Sequence, residues 1–251
     1  MHITGNTILI TGGTSGIGRA LAEAFHGLGN RVIIASRRQA LLDEICAAHP
    51  GMCGIQLDVE DTRAVDDFAL DVRERFPELN VLVNNAGISM PEDLAADTVD
   101  VAMARSIINT NIVSVLHLTA ALLPTLRQQP KSTIIATSSG LAFVPRANFP
   151  AYCASKAFIH SWLQSLRFQL RETSVEVLEL APPYVQTELG GPLQAADPRA
   201  MPLADYIAEV LRILGDPSSM GGEILVERVK ALRWAEKNDK YTQMFAALNE
   251  H

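Results

Sequence analysis

The sequence predicts a three-layer α/β/α sandwich, doubly wound around a seven-stranded parallel sheet. Three observations carry that prediction. Short apolar, β-branched runs alternate with longer helical patterns from one end of the chain to the other, as repeated strand–helix–strand units require. The runs TILIT, VIIA and TIIA are almost continuously apolar, which suits strands covered by helices on both faces. No linker or compositional break interrupts the alternation, so residues 1–251 read as one domain.

Strands are expected at 7–11, 31–35, 54–58, 80–84, 132–137, 175–180 and 223–227. Helices are expected at 17–28, 38–48, 62–75, 99–127, 150–171 and 203–214. Between the last two helices, Gly, Pro and Ala accumulate and GGP, DPR and MP break any period, so 188–205 reads as a loop or small mobile subdomain over a substrate site. Residues 228–251 read as an amphipathic helical extension, with Leu232, Trp234, Tyr241, Met244, Phe245 and Leu248 as packing candidates.

Composition narrows the partners. The chain is 48% apolar and 20% charged, which excludes a disordered or low-complexity chain. Lys and Arg number 21 against 28 Asp and Glu, a net charge of −7 that argues against nucleic acid or an anionic membrane as partner. Cys46, Cys53 and Cys153 form no CxxC pair, so a reducing, cytoplasmic setting is the expectation. The run NIVSVLHLTAALLPTL is interrupted by His117 and Pro124, and no membrane span is expected. The six histidines show no HxxxH or HExxH spacing, so no metal is assigned.

The first strand runs into Thr11-Gly12-Gly13-Thr14-Ser15-Gly16-Ile17-Gly18 and then a helix. There, glycines let the backbone turn sharply and approach a pyrophosphate at the positive end of the helix. The end of the second strand carries Ser36-Arg37-Arg38 in place of the acidic residue that would hold a ribose 2′-hydroxyl. A guanidinium there suits a 2′-phosphate, so NADP(H) is preferred over NAD(H), with Arg37 as the leading discriminator. Tyr152 and Lys156 stand four apart in a helical pattern and therefore share a face.

With its TGxxxGxG glycine loop, Asn84-Asn85-Ala86-Gly87 after the fourth strand, Ser139 after the fifth and the YxxxK pair, the chain resembles the short-chain dehydrogenase/reductase superfamily over about residues 5–190. That resemblance implies a Rossmann fold and a catalytic tetrad of Asn111, Ser139, Tyr152 and Lys156. In that role Tyr152 gives a proton to the carbonyl oxygen during hydride transfer. Ser139 polarises that oxygen, Lys156 lowers the tyrosine pKa and holds the nicotinamide ribose, and Asn111 holds a proton-supplying water chain. Cofactor contacts are implied for Gly12, Thr14, Ser15, Gly16, Ile17, Gly18, Ser36, Arg37, Arg38, Asp58, Val59, Asn85, Ala86 and Gly87, with Asp58 at the adenine amine. Pro182, Val185 and Thr187 complete the implied contacts on the nicotinamide side.

The chain departs from the family at Ala181-Pro182-Pro183, where Pro183 replaces the usual glycine and removes a backbone donor. Ser89, Met90, Leu141, Phe143, Tyr184 and Leu189 are the expected substrate lining, mostly apolar, which favours an uncharged small-molecule carbonyl or alcohol; Arg146 stands close enough in sequence to face the same space. The activity implied is an NADP(H)-dependent ketone or aldehyde reductase; the alternatives are a non-catalytic nucleotide sensor and an epimerase or dehydratase on the same scaffold. The long helices at 99–127 and 150–171 would form a subunit face in this family, which implies a homodimer or homotetramer.

Overall fold

A computed structural model describes residues 1–216 and 221–250. The first strand, β1 (Thr7–Thr11), is followed by α1 (Gly16–Gly27), β2 (Arg31–Ser36), α2 (Gln39–Ala48), β3 (Cys53–Gln56), α3 (Thr62–Arg75) and β4 (Val81–Asn84). A long helix follows in three parts: α4 (Ala102–Ile108), a π-turn over Asn109–Val113, and α5 (Ser114–Gln128). Then come β5 (Ser132–Thr137), α6 (Pro150–Leu170), β6 (Val175–Leu180), α7 (Pro192–Ala196), α8 (Leu203–Gly215), β7 (Glu223–Ile224), α9 (Lys230–Arg233) and α10 (Tyr241–Asn249).

All seven strands pair in parallel in the order β3-β2-β1-β4-β5-β6-β7. Strand order therefore reverses between β1 and β4, and the crevice beyond the carboxyl ends of those two strands is where such sheets take ligands. Alternation along β1 divides the core: Ile8 and Ile10 face one apolar cluster with Leu21 and Phe25 of α1 and Tyr206 and Val210 of α8. Leu9 faces the other, with Val65 and Phe68 of α3, Leu118 and Leu122 of α5 and Ile159 and Leu163 of α6. Each such fully buried aliphatic side chain contributes about 1.5–3 kcal/mol, so the two clusters hold the layers together.

The structure departs from expectation at four places. Strand β7 is two residues long rather than five, because β6 runs into Pro182 and Pro183, which have no N–H to extend the ladder past the bond from Ala181 N–H to the Ile224 carbonyl (3.4 Å). The span 188–205 is not irregular throughout: it contains α7, and Gln194 of that helix donates to the Val185 carbonyl at 2.9 Å and to Thr187 Oγ1 at 3.2 Å. The extension after residue 228 is broken into α9, a turn with Asp239 at φ 56°, and α10. The long helix, expected as one run over 99–127, starts at Ala102 and is interrupted by the π-turn at Asn109–Val113. At 27 residues and a mean hydropathy of 1.5, Ala102–Gln128 is long and apolar enough by composition to cross a membrane; here Val115, Leu118, Leu122 and Leu126 lie against the sheet.

Candidate active site

The carboxyl ends of β1 and β4 are bolted together by one hydroxyl. Thr11 Oγ1 accepts the N–H groups of Asn85 (3.0 Å) and Ala86 (3.1 Å), while Asn85 Nδ2 returns a bond to the Thr11 carbonyl at 3.1 Å. Thr11 is a residue that sequence reasoning passed over; its signal was a threonine at the last position of a buried strand, beside the glycines.

Beyond Thr11 the chain must turn into α1 within a few residues. Gly12 does so at φ +67°, a left-handed conformation that costs a side-chain-bearing residue about 1 kcal/mol or more. A methyl group at Gly18 would run into the Gly12 carbonyl, so the loop and helix approach more closely than any other residue type permits. Ser15 at the head of α1 makes no capping bond and the first turn holds no acidic side chain, leaving the N–H groups of that turn for an anion. The cradle fits the pyrophosphate of a dinucleotide, with Thr14, Ser15, Gly16 and Ile17 around it.

Of the two arginines, Arg38 is the one that enters this cradle. Its guanidinium donates to Thr14 Oγ1 (2.7 Å) and Ser15 Oγ (2.8 Å), and Thr14 Oγ1 also meets Ser36 Oγ at 2.8 Å. Arg37, expected to lead, is exposed and offers its carbonyl to Gln56 Nε2 at 3.0 Å. Asp58 is exposed beyond β3, accepting the Glu60 N–H at 3.1 Å, with half-buried Val59 beside it. Thr187 comes to the same loop from the other side, 3.5 Å from where a Gly16 side chain would begin, and Val185 is buried behind it. The Pro182 carbonyl accepts the Gly140 N–H at 2.8 Å, tying the chain after β6 to the turn that follows Ser139.

The four tetrad residues are all buried, at 1% exposure for Asn111, 8% for Ser139, 7% for Tyr152 and 4% for Lys156. Tyr152 and Lys156 share one face of α6, the ammonium 5.7 Å from the phenol ring centroid and donating to the Thr137 carbonyl at 2.8 Å. Ser139 heads a short 3₁₀ turn, its Oγ accepting the Leu141 N–H at 3.1 Å, so the hydroxyl proton is left to give elsewhere. Asn111 sits in the π-turn, where the extra backbone residue lets its side chain clasp Ile88 through N–H to Oδ1 (2.9 Å) and Nδ2 to carbonyl (3.0 Å), and reach Ser155 Oγ (3.0 Å). Gly87 lies between these groups: a side chain there would begin 3.2 Å from Asn111 Oδ1 and 3.6 Å from Lys156 Nζ.

Electrostatics correct one expectation. Burial pushes the Tyr152 phenol up to about 12, with a hydrogen bond from Ser139 acting in the opposite direction. Burial also brings Lys156 down to about 8. In the free protein burial dominates, and the phenol stands above its ordinary value rather than below it.

The lining residues sort into two groups. Met90, Tyr184 and Leu189 are exposed around the mouth and Ser89 and Leu141 are half-buried, whereas Phe143 is engaged edge-to-face with His160 at 4.9 Å and beneath Arg233 at 4.9 Å. Tyr184 donates to Asp197 Oδ2 at 3.2 Å, so its ring is held over the loop that carries Asp197.

A glycine cradle at the switch point, with a buried Asn–Ser–Tyr–Lys set facing it, defines a nucleotide-dependent oxidoreductase of the Rossmann class. Residues 6–198 match the model of the short chain dehydrogenase family, and the chain belongs to that family. It is 41% identical over 255 residues to the uncharacterized oxidoreductase DltE of Bacillus subtilis strain 168, across 99% of this chain and 98% of that one. It is 35% identical over 199 residues to sulfoacetaldehyde reductase 2 of Chromohalobacter salexigens, across 76% and 79%. A short chain dehydrogenase from Burkholderia cenocepacia solved with NADP superimposes over 99% of both chains with a TM-score of 0.84 at 24% identity, and one from Burkholderia phymatum solved with NAD does so over 96% with 0.80 at 22%. Those two likenesses establish the fold, and their nucleotides differ.

Proposed function

We propose that the protein is an NADP(H)-dependent reductase of ketones or aldehydes, or a dehydrogenase of the corresponding alcohols. The observation that carries this reading is the convergence of buried Tyr152, Lys156 and Ser139 beside the glycine cradle. Bound NADPH supplies the hydride. Tyr152, held protonated with a pKa of about 12, gives its hydroxyl proton to the carbonyl oxygen as negative charge develops there. Ser139 donates a second hydrogen bond to the same oxygen. Lys156, down at about 8, is still mostly charged at neutral pH and faces the phenolate that remains. Asn111 orders the backbone at Ile88 and, with Ser155, the first turn of α6; this supports a proton supply that reaches Lys156 from that side.

NADP(H) over NAD(H) is supported by Arg38, whose planar donors can pair with a 2′-phosphate once they leave the Thr14 and Ser15 hydroxyls. The apolar rim of Met90, Tyr184 and Leu189 supports an uncharged substrate. A second reading, a small carbonyl compound carrying an acid group, is favoured by exposed Arg146, a cation near Tyr184 at the rim, and by the sulfoacetaldehyde reductase relative.

The test follows nicotinamide absorbance with NADPH and NADH across ketones, aldehydes and diketones, with and without an acid group. Turnover should prefer NADPH, and Tyr152→Phe should lose about 10³-fold in kcat while keeping cofactor affinity. Arg38→Ala should abolish the NADPH preference and Arg37→Ala should leave most of it. Full turnover in Tyr152→Phe would overturn the mechanism, and an undiminished preference in Arg38→Ala would overturn the cofactor assignment.

A further inference from the structure

The strand VEVLEL carries two glutamates; the structure exposes Glu176 and buries the other completely, Glu179 being 0% exposed. A carboxylate removed from water needs a donor at each oxygen. Ser138 gives its hydroxyl to Oε1 at 2.5 Å, and His160 Nδ1 lies 2.7 Å from Oε2. Gln164 Nε2 meets His160 Nε2 at 2.9 Å; with the amide donating, the imidazole proton sits on Nδ1, directed at Glu179. Phe143 closes one edge of the imidazole. Glu223, 4.0 Å from His160, is held by both donors of Arg233 at 2.9 Å and so is already neutralised. The ligand atoms of His160, Glu179 and Glu223 lie within 4.8 Å of one another, a spacing a metal ion could use, but Arg233 and Ser138 occupy those carboxylates.

Ser138 is the residue before Ser139. With Ser139 extended at φ −168° and ψ 156°, the two serines point to opposite sides, one toward Glu179 and the other toward Tyr152. His160 lies on α6, one turn beyond Lys156 and two beyond Tyr152. The chain Ser138–Glu179–His160 therefore ties the end of β5 to the same helix that carries the tyrosine and lysine.

We propose that Ser138, Glu179 and His160 are positioning residues that fix Ser139 at hydrogen-bond distance from the substrate oxygen. The inference rests on the carbonyl chemistry proposed above for Ser139 and Tyr152. A serine misplaced by even an ångström loses its bond in the transition state while cofactor binding, made elsewhere, is retained.

The experiment compares conservative and disruptive variants of the full-length protein. Ser138→Ala and His160→Leu should each lower kcat about tenfold or more, with NADPH affinity unchanged. Ser138→Thr keeps a hydroxyl and His160→Asn keeps an N–H donor near the position of Nδ1, so both should recover most of that loss even where their melting temperatures match the disruptive variants. Equal losses in the conservative and disruptive members of each pair, or losses that track melting temperature, would overturn the positioning role. Tyr152→Phe runs alongside: full turnover there fails the underlying chemistry, whereas a dead Tyr152→Phe with unaffected Ser138→Ala and His160→Leu fails the positioning chain alone.

Discussion

Asparagines crowd both ends of the sheet, and they do opposite things there. At the amino ends of the strands, Asn30 Oδ1 accepts the Asn6 N–H (3.0 Å) and side-chain amide (3.1 Å), while its own amide binds the Ile3 and Phe25 carbonyls. Asn80 donates to Asn6 Oδ1 at 3.0 Å and accepts the Thr7 N–H at 2.9 Å. That network turns inward and closes the sheet. At the carboxyl ends, Asn85 and Asn111 hold the backbone on either side of the Gly12 and Gly87 segments, which belong to the candidate site. The same side chain closes the sheet in one place and holds the glycine segments of the candidate site in the other, and only its backbone partners distinguish the two.

Three measurements sharpen or break that contrast. The largest effect is expected at the carboxyl edge: Gly18→Ala puts a methyl into the Gly12 carbonyl, and NADPH affinity measured by titration calorimetry should fall about 100-fold or more. An unchanged affinity would mean the cradle is not where the pyrophosphate sits. Next comes the amino edge, where Asn30→Ala strands buried donors and carbonyls and should cost about 2 kcal/mol in urea unfolding, with kcat of the folded enzyme unaltered. A loss of turnover with no loss of stability would erase the distinction between the two edges.

The smallest effect concerns Lys156. Its folded pKa, about 8, lies below its ordinary value of 10.5, so as pH rises from 8 toward 10.5 the unfolded chain binds more protons and stability should rise. Below pH 8 the lysine is charged in both states and this contribution is flat. The rise should vanish in Lys156→Met; unfolding curves at pH 8 and 9.5 for both proteins decide it. Tyr152, raised to about 12 from 10, acts in the opposite direction only above pH 10 and does not interfere.

The regular part of the fold was legible because it repeats: each strand from β1 to β6 falls within about two residues of its expected bounds, since buried parallel strands leave an apolar signal that little else imitates. The glycine loop and the Tyr152–Lys156 pair were legible for a different reason, their fixed spacing over a few consecutive residues. What escaped was set by contacts between distant segments. Arg38 rather than Arg37 reaches the cradle because of how β2 ends, which no spacing rule separates. The early end of β7 follows from two prolines in the neighbouring strand's continuation. Gln194 pins the loop after β6 through bonds to Val185 and Thr187, and Glu179 was visible as an odd charge in a strand without any hint of its partners.

The π-turn at Asn109–Val113 has a bearing on how this gene can vary. It places one residue more than an α-helical turn would hold, so the two halves of the long helix are out of angular phase. The first half directs Ser106 at Glu60, joined there by Thr110 at the start of the π-turn, whose hydroxyl is 2.7 Å from the carboxylate. The second lays Val115, Leu118, Leu122 and Leu126 on the sheet. Removing or adding a single residue between Thr110 and Val115 would rotate one half against the other by about 100°. Either the Glu60 contacts or the apolar stripe would then face solvent. Substitutions can accumulate along this stretch, but its length is fixed, and an in-frame codon loss there should be as damaging as the loss of a core side chain.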